Sequence, residues 1–194
     1  MPGKATDQRS TVRHHMFPER GSRRPHEILG ALFVDPGIKG TGWAWFPRMS
    51  TLPAGPVARA QQHGVFWPPK TLQWEGKVDA VCSWMAGVCS ALGPRVAILE
   101  FPGLWGGSAL SQMAAAGGDL FKLAYLVGGL AEVCRQHGTC HPALISPAAW
   151  KGQLPKEVVM ERVLRAWPYL AEGGGLRDHE TDALGMGLAA QGGL

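Results

Sequence analysis

Apolar positions fall into short runs up to about residue 70, and beyond it stretches of helical spacing alternate with further short runs. Ile28 to Val34 alternates and clusters like a strand. A Pro-Gly turn at Pro36–Gly42 leads into a second apolar run, Trp43–Phe46, so the two predict a hairpin. Residues 47–60 are rich in proline and glycine and predict a loop, and Gln62–Trp67 predicts a third strand. Leu72–Leu92 carries the spacing of a helix that Gly93-Pro94 ends. Arg95–Glu100 is another short apolar run, and Phe101–Gly107 follows as a loop. Ser108–His137 predicts a long helix, loosened by Gly117-Gly118 and Gly128-Gly129. After it come a short strand at Ala143–Ile145 and a brief helix opened by Ser146-Pro147, since proline suits the first helical position. A helix at Lys156–Ala166, a glycine link at Gly173–Gly175 and a last helix at about Asp178–Ala190 complete the chain. This order predicts an α/β fold with a mixed sheet, an antiparallel hairpin first and parallel strands joined by helices after it.

With 194 residues, 45% of them hydrophobic, the chain can bury one core, and one domain over 28–194 is expected. No uninterrupted apolar run reaches the length of a membrane span, and the N-terminal stretch lacks an apolar signal region. Both observations point to the cytoplasm. The formal charge is +4, and much of the excess lies in residues 1–27, through Lys4, Arg9, Arg13, Arg20, Arg23 and Arg24. Such a composition predicts a tail without structure of its own, which either tracks phosphates or only solubilises. Four cysteines without an export signal read as reduced thiols, with Cys82 and Cys89 packing in the core.

Candidate chemistry lies in the acids. Two apolar runs end in a carboxylate, Asp35 and Glu100, and a third acidic site opens the last helix in RDHETDALGMGLAA. There His179 and Asp182 share a face, and Asp178 and Asp182 can share one too. A lone carboxylate closing a buried strand is costly unless a cation meets it. Functional groups of α/β sheets gather at the carboxyl ends of strands. Hard oxygen ligands from three elements are what a two-magnesium phosphodiester site needs, with ions roughly 3.5–4 Å apart. Taken singly, each acid reads as a turn, a solvated end or a helix cap; together they favour the site.

The same residues carry a family resemblance. Asp35-Pro36-Gly37 followed by Thr41-Gly42 resembles the first motif of RuvC-type Holliday junction resolvases, in the RNase H-like fold. Val96–Glu100 resembles the family's second acidic strand, Ser146–Lys151 its proline–lysine segment, and Thr181–Leu184 its final acidic helix. The motifs stand in order from about residue 29 to 190.

The resemblance implies an RNase H-like fold with a mixed five-stranded sheet flanked by helices. It implies an endonuclease dependent on Mg²⁺, with Mn²⁺ as a substitute and two ions per site. The substrate class is branched DNA, such as Holliday or replication junctions, and the usual assembly is a homodimer. Carried over, Asp35, Glu100 and Asp182 become metal ligands. His179 stands where many members have aspartate and some histidine, and Asp178 is the other candidate. Lys151 and Lys156 become phosphate contacts, and Trp105 competes with Phe101 and Leu104 for a base-stacking role at the junction centre. The short gap between Lys151 and Lys156 departs from cellular resolvases and resembles a phage branch, so a bacterial cell or its phage is the expected setting.

A looser nuclease of flaps or single strands, and a non-catalytic DNA-binding protein on the same fold, use the same residues. A sugar-kinase-like ATPase also opens on an Asp-Gly loop but needs a second phosphate loop, which the chain lacks. Cys134, His137, Cys140 and His141 have the right types for zinc, yet structural zinc sites draw pairs from separate segments and these four lie together. The glycine pairs of the long helix suit close helix packing, within the subunit or across a two-fold axis.

Overall fold

The computed structural model describes residues 27–50, 57–101, 117–137, 141–172 and 175–194. The strands are β1 (Glu27–Asp35), β2 (Thr41–Ser50), β3 (Gln62–Phe66), β4 (Val96–Glu100) and β5 (His141–Ile145). The helices are α1 (Trp74–Leu92), α2 (Asp119–Gln136), α3 (Pro147–Trp150), α4 (Lys156–Ala166) and α5 (Asp178–Ala190), with a 3-10 turn at Pro168–Ala171. The sheet order is β3-β2-β1-β4-β5. β2 runs antiparallel to β1 and β3, and β4 runs parallel to β1 and β5. This is the expected mixed five-stranded α/β sheet.

Two expectations about element bounds are corrected. The predicted loop from residue 47 begins too early, because β2 continues to Ser50 and pairs Arg48 with Leu29 and Met49 with Ile28. Its Pro47 is tolerated because β3 pairs with β2 only as far as Trp45, so among the described residues no strand pairs with that edge of β2 there. The predicted long helix is also shorter. Gly118 stands at its N-cap with φ 73°, a left-handed conformation that α2 does not continue through. Residues 102–116, which include the rest of that prediction, lie outside the described residues.

Strand alternation sorts side chains onto two faces. Ala31, Phe33, Ala44, Phe46 and Ile98 pack against α4 and α5 through Val159, Val163, Leu184 and Leu188. Leu32, Val34, Trp45, Ala97 and Leu99 pack against α1 and α2 through Val81, Met85, Leu126 and Leu130. Cys82, Cys89 and Cys134 belong to this second core, as the packing reading of the thiols expects. A Cβ on Gly129 would lie 3.0 Å from Cys82 Sγ, so that glycine serves packing of α2 on α1.

The alternation also aims the acids. Phe33 is registered against Ile98. Two residues further on each strand come Asp35 and Glu100, which therefore share the face covered by α5.

Candidate functional site

Asp35 closes β1 and is 6% exposed. The loop after it is tied back by Thr41, whose hydroxyl accepts from the Gly37 N–H at 3.3 Å and donates to the Gly37 carbonyl at 3.1 Å. Asp35 is registered against Gly42 on β2. A side chain on Gly42 would collide with the backbone of His179 and Glu180, so the missing Cβ is what lets the first turn of α5 lie on the strand. That approach brings His179 Nδ1 within 2.5 Å of Asp35 Oδ2.

Burial dominates Asp35 and raises its carboxyl above the usual range; the bond and charge of His179 pull it down without cancelling this. Asp182 pushes it further up. The same bond to Asp35 raises the His179 imidazole above its ordinary value, against the effect of its burial.

Glu100 closes β4, and its Oε2 accepts a 2.7 Å hydrogen bond from the indole N–H of Trp150. Burial, with the nearby charge of Asp35 next, pushes Glu100 up to about 7. Asp182, one turn into α5, pairs with Lys151 at 3.2 Å, and both side chains are largely buried. Carboxylates from β1, β4 and α5 thus feel one another's charge at one end of the sheet.

The predicted residues divide clearly. Asp35, Glu100, His179, Asp182 and Lys151 come together. Asp178 does not join them: it points to Lys156 at 3.0 Å, with its side chain 76% exposed. Lys156 therefore stands at the rim, paired with an acid. Trp105 and Leu104 lie outside the described residues, while Phe101 is described and exposed. Cys140 is likewise outside, and Cys134 is buried in the α1–α2 core.

Two residues escaped the sequence reading. His63 on β3 bonds Glu180 Oε1 at 2.7 Å, while Glu180 Oε2 accepts from the Arg177 N–H at 3.2 Å. Burial pushes the Glu180 carboxyl up, but these bonds outweigh it and hold it below its ordinary value. The pair moors the start of α5 to the sheet. Trp67 follows β3, is 55% exposed, and lies against Gly40 in the loop beside Asp35, close enough to leave no room for a side chain there. No periodicity marks either residue, since both depend on contacts across the fold.

The donor types suit a hard divalent cation: three carboxylates and an imidazole. Burial disfavours the ionised forms of Asp35 and Glu100, and a bound cation would stabilise them. As placed, each acid is held by a protein partner, and among the described residues no three His, Cys, Asp or Glu side chains already form a metal cage. The fit is one of chemistry and location.

No protein-family model matches the sequence, and no curated protein does. Solved structures do. Thermus thermophilus RuvC is 18% identical, with a TM-score of 0.60 over 83% of this chain and 92% of its own. The same protein in complex with a Holliday junction substrate is 16% identical, with a TM-score of 0.59 over the same shares, 83% and 92%. The chain has the RuvC fold. The yeast mitochondrial Holliday junction resolvase Ydc2 is also similar, at 12% identity and a TM-score of 0.55 over 97% of this chain and 87% of its own. At these identities the likeness to RuvC establishes architecture, and the reading of the site rests on the residues themselves. No helix among the described residues is long and apolar enough to cross a membrane.

Proposed function

We propose that this protein is a divalent-metal-dependent endonuclease that cuts branched DNA, such as a Holliday junction, and acts as a homodimer. The observation that carries the reading is the convergence of Asp35, Glu100, Asp182 and His179 from β1, β4 and α5, at the carboxyl ends of two strands of a RuvC-like sheet. Asp35, Glu100, Asp182 and His179 would hold Mg²⁺ or Mn²⁺, two ions per site. When bound, such ions supply an activated water and stabilise the leaving oxygen.

The chain's own residues do the rest. Asp35 and His179 hold each other in place, so the imidazole presents a fixed face. Lys151, paired with Asp182 and largely buried, would stabilise charge developing on the phosphate. Lys156, at the rim, would contact the DNA backbone and Trp105 would stack on a base. The basic residues 1–27 would add phosphate contacts, so affinity should fall as salt rises. A dimer would place two such sites about a two-fold axis, one for each strand cut.

The test is cleavage of labelled four-way junctions, flaps, single strands and linear duplex, by wild type and Asp35→Asn, with and without Mg²⁺ or Mn²⁺. Paired symmetric nicks on the junction, absent in the variant and without metal, are expected. Cuts on flaps or single strands with the same dependence would move the substrate class to a broader nuclease. Binding without cleavage, equal in both proteins, would refute the catalytic reading and leave a DNA-binding protein.

A further inference from the structure

We propose that Trp150 is a positioning residue of this site, setting the carboxylate of Glu100 and bracing Lys151. The inference rests on the nuclease reading above and adds a residue that reading does not use.

Trp150 ends α3, directly after β5 and one residue before Lys151. The residue is 6% exposed and belongs to the core on the α5 side of the sheet. Three groups converge on it. Its indole N–H donates to Glu100 Oε2 at 2.7 Å. Lys151 Nζ stands over the ring, 4.8 Å from its centroid. Its Cζ3 edge lies against Gly185, where a Cβ would come within 2.9 Å. Gly185 is three residues beyond Asp182 on α5, so a single side chain touches the strand end, the lysine and the acidic helix.

Packing alone does not account for this. A phenylalanine would fill much of the same core space against Val159 and Gly185. What only the indole supplies is a donor that cannot also accept. It bonds one oxygen of Glu100, favours the ionised carboxylate, and leaves the second oxygen for another partner. Burial in this core does not itself impose such a bond, because Trp167 of the same core has its indole N–H on no acceptor among the described residues. The ring face serves Lys151 as well, since a cation is held over an indole by the ring quadrupole. Lys151 then reaches Asp182 from a fixed platform.

Groups that orient a metal-ligating side chain cost about 10–100-fold in metal affinity or activity when removed. The experiment compares wild type, Trp150→Phe, Trp167→Phe and Glu100→Gln. Mn²⁺ affinity is measured by calorimetry without DNA, junction affinity by anisotropy, and single-turnover cleavage and thermal melting on the same samples. Trp150→Phe should weaken Mn²⁺ binding and slow cleavage by roughly tenfold or more, with junction affinity held. Trp167→Phe should change melting only. Should Trp150→Phe not fold, benzothienylalanine at position 150 keeps the bicyclic ring and replaces the N–H by sulfur.

Equal Mn²⁺ affinity and cleavage in wild type and Trp150→Phe, with Glu100→Gln impaired in both, would overturn the proposal and leave the nuclease reading intact. Equal behaviour of wild type and Glu100→Gln would instead overturn the nuclease reading, and the proposal with it.

Discussion

A side chain at Gly42 would have no room, because its Cβ would sit well inside 3.0 Å of the carbonyl oxygen of His179. Gly42 faces Asp35 across the β1–β2 ladder. The glycine therefore does more than shape a turn: it lets α5 deliver its imidazole to the buried acid. Gly42→Ala must push the helix off the strand. We expect a loss of about 1–3 kcal/mol in stability, read by denaturant unfolding, and a loss of cleavage larger than that destabilisation explains. Gly128→Ala is the contrast. That position is exposed on α2, with nothing near its would-be side chain. It should gain up to about 1 kcal/mol from helix propensity and cut at the wild-type rate.

Glu100 gives the metal-free protein a pH dependence of definite sign. Its carboxyl moves from an ordinary 4.5 to about 7 on folding. A raised folded value means the folded state holds the proton more tightly. The resulting stability is fully present below about 4.5 and is lost as pH rises through about 7. Asp35 is raised too, and so is His179, so both act in the same direction. Metal-free protein should therefore melt at lower temperature as pH rises from 5 to 8, and the shift produced by saturating Mn²⁺ should grow over that range. Glu100→Gln keeps an oxygen for Trp150 and removes the buried charge. Without metal at pH 8 it should melt roughly 2–4 °C above wild type, a difference that closes by pH 5.

Lys151 and Asp182 are both largely buried, so removing the lysine strands a carboxylate. Lys151→Ala should destabilise the metal-free protein, and Mn²⁺ should restore most of the loss by replacing the missing cation. Cleavage should remain about 10²–10³-fold slow even with metal, because the phosphate loses its support. Melting curves and single-turnover rates on one preparation separate the two effects.

Trp67 is an exposed aromatic braced against the loop that leaves Asp35. Lys39 in that loop and Lys70 beyond the two prolines are exposed as well. Such a surface suits DNA whose bases are not fully stacked. Trp67→Ala should weaken junction binding by about 1–3 kcal/mol, measured by anisotropy, with unfolding unchanged because the ring is not part of either core.

Much of this site is written locally in the chain. Asp35 and Glu100 each close a short apolar run, and strand alternation alone puts both on one face once the strands are paired. The expected helices at Lys156–Ala166 and Asp178–Ala190 match α4 and α5. What the sequence hides is contact across the fold. Whether His179 or Asp178 meets Asp35 depends on how closely α5 lies on β2, which is set by the absence of a side chain at Gly42. The bond from Trp150 to Glu100 joins residues fifty positions apart, and a tryptophan in an apolar helical turn reads simply as core. The proline and glycine content of 47–60 signals a loop, while β2 runs on to Ser50 beyond the last residue that β3 pairs.

The central claim is that Asp35, Glu100, Asp182 and His179 form one divalent-cation site. Calorimetric titration of Mn²⁺ into wild type, Asp35→Asn, Glu100→Gln, Asp182→Asn and His179→Ala tests it without DNA or turnover. Wild type should bind saturably, each of the four substitutions should weaken binding, and Asp178→Asn should leave it unchanged. Binding that survives all four substitutions unchanged, or no binding by any of the proteins, would contradict it.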